Sequence, residues 1–252
     1  MALIASGLLE QLREDLDYDV HYDQMVHSYT DIIPASDSEY RKMKKPRAVS
    51  AVTQHLSQQV YEHAKQGKFV LTLGGDHSIA IGSISGIAKA IRERLEGREL
   101  AVVWVDAHAD INTPEISQSG NIHGMPVAFL TGLAKEENKD IFGWLEKEHL
   151  ISVSKLVYIG LRDVERGEKK LLREHSIKAF SMHDIDRYTR SVHWFRQQVL
   201  TVSQARDWTS GRDGPSSHRQ RHADSSVLRC RCSRPAMGTQ HWHSSTRRLD
   251  TP

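Results

Sequence analysis

The chain has 252 residues, 38% hydrophobic and 26% charged, with a formal net charge of +2. That is the profile of a globular protein with enough apolar material for one sizeable domain or two small ones. No stretch reaches the roughly 18 consecutive apolar residues of a membrane span. The opening Met1–Glu10 lacks the basic segment of a secretory leader, so a cytoplasmic protein with no membrane partner is expected. Cys230 and Cys232, the only cysteines, are separated by one residue and are poor material for a disulfide framework.

Pro46 opens the first strong element. Val49, Val52, Leu56 and Val60, and less cleanly His63, fall three or four apart until Gly67 offers a stop, which predicts an amphipathic helix. Phe69–Leu73, closed by Gly74 and Gly75, predicts a short strand, and helical spacing resumes from Ile79 to Leu95 through Ile81, Ile84, Ile87, Ala88 and Ile91. Leu100–Val105 is a continuous apolar run, as in a strand covered on both faces. Helical material is expected around Ile141–His149, a further strand over Leu156–Gly160, and a weaker helix from Glu168 to His175 leading into Ile177–Phe180. Alternating strands and helices predict an α/β fold with a parallel sheet.

From about Thr189 the periodicity is lost. Residues 189–252 hold eleven Arg, no Lys, four Asp and no Glu, whereas residues 1–188 hold 23 basic and 28 acidic groups. This break predicts a folded part over 1–188 and a disordered basic tail over 189–252. The tail's basic groups are scattered among Ser and His without interleaved aromatics, which argues against a nucleic-acid partner. Cys230-x-Cys232 with His241-x-His243 lacks the cysteine spacing usual in a zinc site.

In an open parallel sheet, ligands bind beyond the carboxyl ends of strands, and three groups converge on such ends. Gly75-Asp76-His77 follows the run ending at Leu73, Asp106-x-His108-x-Asp110 follows Val105, and Gly160-Leu-Arg-Asp163 follows the third run. Side chains alternate along a strand, so Asp106, His108 and Asp110 can point one way while Ala107 and Ala109 point the other. Two carboxylates and an imidazole sharing one side repel unless a cation lies among them. Carboxylates with imidazole suit Mn, Fe or Zn, and the lack of thiolate argues against a structural zinc site. Ser119-Gly-Asn-Ile-His-Gly-Met-Pro126 adds a hydroxyl, an amide and an imidazole, groups that can hold a zwitterion and move protons.

Three stretches in order, Gly74-Gly-Asp-His-Ser-Ile-Ala-Ile-Gly-Ser-Ile-Ser-Gly86, Trp104-Val-Asp-Ala-His-Ala-Asp-Ile-Asn-Thr-Pro114 and Ser119–Pro126, resemble the successive signatures of the arginases, within the ureohydrolase superfamily. The similarity runs from about residue 5 to Tyr188 and includes Gly160–Glu168. It implies a three-layer, doubly wound, mainly parallel sheet of the arginase/deacetylase type. It also implies a binuclear manganese enzyme that hydrolyses L-arginine to L-ornithine and urea, assembled as a homotrimer or homohexamer. Carried over by position, His77 and Asp110 would ligate the first Mn2+, His108 the second, and Asp106 would bridge them. Asn112, Ser119 and Asn121 would hold the substrate's α-carboxylate end, and Asp163 or Glu165 its α-amino group, although the family pattern commonly has Asp at the position of Glu165. His123 would shuttle protons.

The resemblance has a gap. The superfamily draws further ligands from a later strand with an Asp-x-Asp motif, and a Glu beyond it contacts the guanidinium, but residues 189–252 contain neither. The first strand of the family pattern is also missing before Leu8. Arg229-Cys-Arg-Cys-Ser-Arg-Pro235 can be encoded so that a shift of one nucleotide reads Asp-Val-Asp-Ala-Leu-Asp, which predicts a tail translated out of frame. With part of the ligand set absent, weak metal affinity and impaired turnover are expected. The competing expectation is an inactive variant that associates with full-length subunits or is unstable.

Overall fold

The computed structural model describes residues 2–188 together with Leu228 and Arg229. The expectations for the tail, namely its disorder, its Cys and His pairs and its shifted-frame motif, otherwise lie outside the described residues. The chain divides into two units, Met1–Leu100 with Asp110–Ser152, and Ala101–Ala109 with Val153–Pro252.

The first unit is helical. Helices α1 (Ala2–Ala5) and α2 (Leu8–Glu14) precede a long connection, and α3 (Pro46–Ala64) and α4 (Ile79–Arg94) form the body, followed by the short α5 (Pro126–Leu130). Pro46 stands in the first turn of α3, where its missing N–H costs nothing. Beyond α3, Gly67 takes φ +84°, a left-handed turn that glycine adopts without strain.

The helices predicted from Pro46 and from Ile79 are present, but the buried face of α3 is not its apolar stripe. Ser50, Thr53, Ser57, Val60 and Ala64 are buried, while Val49, Val52 and Leu56 are half-buried. The reason is a close approach between helices. A Cβ placed on Gly82 of α4 would lie 2.6 Å from the Thr53 carbonyl oxygen, and one on Gly86 would collide with that of Ser57. Only small side chains fit such a seam, and their hydroxyls stay satisfied. Thr53 donates to the Val49 carbonyl and Ser85 to Ser57 Oγ. Behind the seam Ile81, Ile84, Ile87, Ala88 and Ile91 supply the apolar core. Gly86→Ala is therefore expected to destabilise the first unit by about 1–3 kcal/mol, the cost of overpacking, measured as a lower midpoint in urea unfolding of helical circular dichroism. An unchanged midpoint would contradict the close approach.

Two predicted elements are absent. Phe69–Leu73 joins no strand among the described residues, and Phe69, Leu71 and Leu73 are exposed. Ile141–His149 is mostly turn, with a single 3-10 turn at Lys147–His149. Phe142 takes φ +63°, and a Cβ on Gly143 would lie 2.7 Å from the Asn138 carbonyl, so the chain doubles back here. The apolar pair still serves the core. Ile141 and Phe142 are buried, Phe142 meets Phe129 at 4.4 Å between ring centroids, and its N–H donates to Ser50 Oγ.

The second unit contains a four-stranded parallel sheet in the order β3-β2-β1-β4, with β1 Val102–Val105, β2 Leu156–Leu161, β3 Lys178–Ser181 and β4 Leu228–Arg229. Val103 and Val157 are buried between Val105, Ile159 and Phe180. Helices α6 (Arg166–Glu174) and α7 (Met182–Tyr188) follow β2 and β3, so the predicted α/β class with an open parallel sheet is found. No helix among the described residues is long and apolar enough to cross a membrane.

Candidate metal and substrate site

In the first unit, the turn after Gly74 and Gly75 carries Asp76 and His77 to the start of α4. Asp76 Oδ1 accepts the Ser78 N–H at 3.0 Å, and the His77 carbonyl accepts the Ala80 N–H at 3.0 Å, which fixes the turn. His77 Nδ1 lies 2.6 Å from Asp110 Oδ2. His77 is partly exposed and Asp110 is buried, with 8% of its side chain exposed. At that distance the two are hydrogen-bonded to each other, and an imidazole and a carboxylate are both donor types that can hold a cation.

Asp110 has φ +49°, a conformation uncommon for a residue with a side chain and found mostly where the surroundings enforce it. Here a strap enforces it. The Val127 N–H donates to the Asp110 carbonyl at 3.0 Å, and the Asn112 N–H to the Gly124 carbonyl at 3.0 Å. These bonds bind residues 110–112 to the segment carrying His123. Asn112 is 5% exposed, and its Oδ1 has no hydrogen-bond partner among the described residues. An orphaned buried acceptor costs about 1–3 kcal/mol.

Ser119 and Asn121 sit on an exposed loop, where Ser119 Oγ accepts the Asn121 N–H at 3.2 Å. Gly120 has φ +69°, and any Cβ there would collide with the Lys42 carbonyl. The Lys44 N–H donates to the Gly120 carbonyl, so the 40–45 turn braces this loop. His123 is half-exposed, with Nδ1 3.8 Å from Asp76 Oδ2. Asp76, which the sequence places beside His77 without assigning it a role, is thus the charged neighbour of His123.

In the second unit, β1 ends at Val105 and Asp106 bends the chain. Asp106 Oδ1 accepts the His108 N–H at 2.8 Å and lies 3.3 Å from His108 Nδ1. Residues 106–110 therefore lie beyond the end of the strand, in bends and loop. The carboxylate of Asp106 satisfies the next turn's backbone. Arg162 and Asp163 N–H groups both donate to the Ala107 carbonyl, and the Tyr158 hydroxyl donates to the Ala109 carbonyl at 2.7 Å. These bonds hold the loop after β2 against the loop after β1. Asp163, its side chain 83% exposed, has Oδ2 3.6 Å from His108 Nε2. Glu165 is occupied differently. It forms a capping box with Glu168 at the start of α6, the buried Glu168 carboxylate accepting the Glu165 N–H at 3.0 Å.

The chain matches the arginase family over residues 4–207. It is 75% identical over 188 residues to the arginase of Emericella nidulans, covering 75% of this chain and 58% of that protein. It is 72% identical over 186 residues to the arginase of Coccidioides posadasii, covering 74% and 58%. Among solved structures it resembles Bacillus subtilis arginase at a TM-score of 0.65 and 32% identity, over 81% of this chain and 64% of that one. It resembles the cold-adapted arginase of Glaciozyma antarctica at 0.63 and 39%, over 82% and 65%. The chain thus spans about 58% of the length of these two curated relatives.

Proposed function

Because this chain belongs to the arginase family, we propose that its chemistry is hydrolysis of L-arginine to L-ornithine and urea at a binuclear manganese centre, in an impaired form. The observation that carries this reading is the contact between His77 and the buried Asp110. By type and order in the chain, His77, Asp106, His108 and Asp110 form a donor set of two imidazoles and two carboxylates that suits Mn2+. When bound, a manganese pair supplies a hydroxide-strength nucleophile near neutral pH.

The chain's own groups account for the other requirements. The unpaired amide atom of Asn112 is buried, and because amide oxygen and nitrogen exchange on a flip, it can donate to the substrate's α-carboxylate. Ser119 and Asn121 add polar contacts from the braced loop. Asp163 is the better partner for the α-ammonium, since its carboxylate is open while Glu165 caps α6. His123, half-exposed beside Asp76, can take a proton from solvent and hand it to the leaving amine.

A second reading is favoured by one observation. Residues 189–252 of this sequence carry no Asp-x-Asp and no Glu, which fits a non-catalytic variant. Urea release from the purified chain, with and without added Mn2+, separates the two. The arginase reading expects manganese-dependent urea that falls by at least about 100-fold in His108→Ala. Urea no higher than the blank with Mn2+ present would sink it in favour of the non-catalytic variant.

A further inference from the structure

The first unit holds a cavity of about 550 Å³ lined by residues of α3 and α4 and of the turns at residue 32 and residues 144–149. Its volume falls within the range of about 300–1,000 Å³ typical of small-molecule sites. None of the proposed metal ligands or arginine contacts lines it. Its polar wall is one-sided. Lys89, His55, His149, Gln54 and Gln58 contribute an ammonium, two imidazoles and two amides, and no carboxylate lines the cavity.

Three details set what would fit. The Glu146 N–H donates to His149 Nδ1 at 3.2 Å, so the neutral ring carries its hydrogen on Nε2 and donates there. Burial, with the Lys89 charge adding to it, lowers the pKa of His149 and keeps the ring neutral. Trp144 is held at two points, its Nε1–H donating to Ser50 Oγ at 3.1 Å and its ring meeting His149 edge-on at 5.7 Å. It is a rigid aromatic wall, and Ile32 adds an apolar contact. Lys89 Nζ forms an ion pair with Glu148 Oε1 at 3.7 Å and lies 5.2 Å from the centre of the Tyr61 ring. That carboxylate cancels part of the local charge, which favours a monoanion over a phosphate dianion.

We propose that this cavity binds an aryl carboxylate, its ring against Trp144 and its carboxylate on Lys89 and the Nε2–H of His149. The site is independent of the arginine chemistry and shares no residue with it.

The test uses the purified full chain with 2-naphthoate, and with 2-naphthylmethanol as a neutral compound of similar shape. Binding is followed by saturation-transfer NMR and titration. The acid is expected to bind saturably and at least about tenfold more tightly than the alcohol, the margin of a charge-assisted contact. Lys89→Met should erase that preference while leaving the alcohol unchanged, and Trp144→Leu should weaken both. L-ornithine with Mn2+ should not displace the acid. Equal binding of acid and alcohol, no saturable binding, or displacement by L-ornithine would each overturn the proposal. The comparison of the two compounds on the unaltered chain decides the matter even if a variant fails to fold.

Discussion

Replacing Asp110 with Asn is expected to remove most of the chain's affinity for Mn2+ while leaving its helices intact. The substitution keeps size and shape, and Asn tolerates the left-handed φ of +49° at this position better than most residues. It removes a buried negative charge 2.6 Å from His77 Nδ1. Outer-shell partners of metal ligands alone are worth about 10- to 100-fold in affinity, so loss of a direct carboxylate ligand should cost at least about 100-fold. The measurement is a thermal-unfolding series with added Mn2+, which needs no catalysis. A ligand that binds the folded state adds about 2.7 kcal/mol when present at 100 times its Kd, so the unaltered chain should melt at a higher temperature as Mn2+ is raised. Asp110→Asn should show no rise over the same range. If both proteins respond alike, the His77 and Asp110 contact is a structural ion pair, and the manganese assignment fails with it.

How much of this was legible in the sequence depended on where each decision is made. Helices α3 and α4 and strands β1 and β2 could be read because their periodicity or continuous apolar character is local. The buried face of α3 could not, since Ser50, Thr53 and Ser57 are inside only because Gly82 and Gly86 bring α4 close. The residue types of the candidate site were legible, but their conformation was not. A carboxylate at 106 gives no sign that it will satisfy the His108 N–H and end the strand, and nothing near Asp110 marks its positive φ. Glu165 is the instructive case. Glu165-x-x-Glu168 places two carboxylates with the spacing of a helix-capping box, and that local reading describes its structural role.

Lysine at both Phe69 and Leu71 is expected to reduce self-association of the chain sharply. The sequence predicts a strand at residues 69–73, yet alternating side chains alone make no strand. A strand exists only when its N–H and C=O groups pair with a neighbour, and none of the described residues forms that neighbour. What remains is the side-chain alternation of a strand without its cover. Phe69, Leu71 and Leu73 are 70%, 48% and 44% exposed, while Val70 and Thr72 between them are half-buried. Fully burying one such side chain is worth about 1.5–3 kcal/mol. Three on one side of a segment that joins no strand among the described residues therefore favour association between copies, the hazard that natural edge strands blunt with charge. Sedimentation velocity over a range of concentrations is the measurement, with helical circular dichroism as the check that the double variant folds. The unaltered chain should form larger species as concentration rises, and the Phe69→Lys, Leu71→Lys chain should not. Identical sedimentation of the two would place the association elsewhere and leave this segment a harmless exposed run.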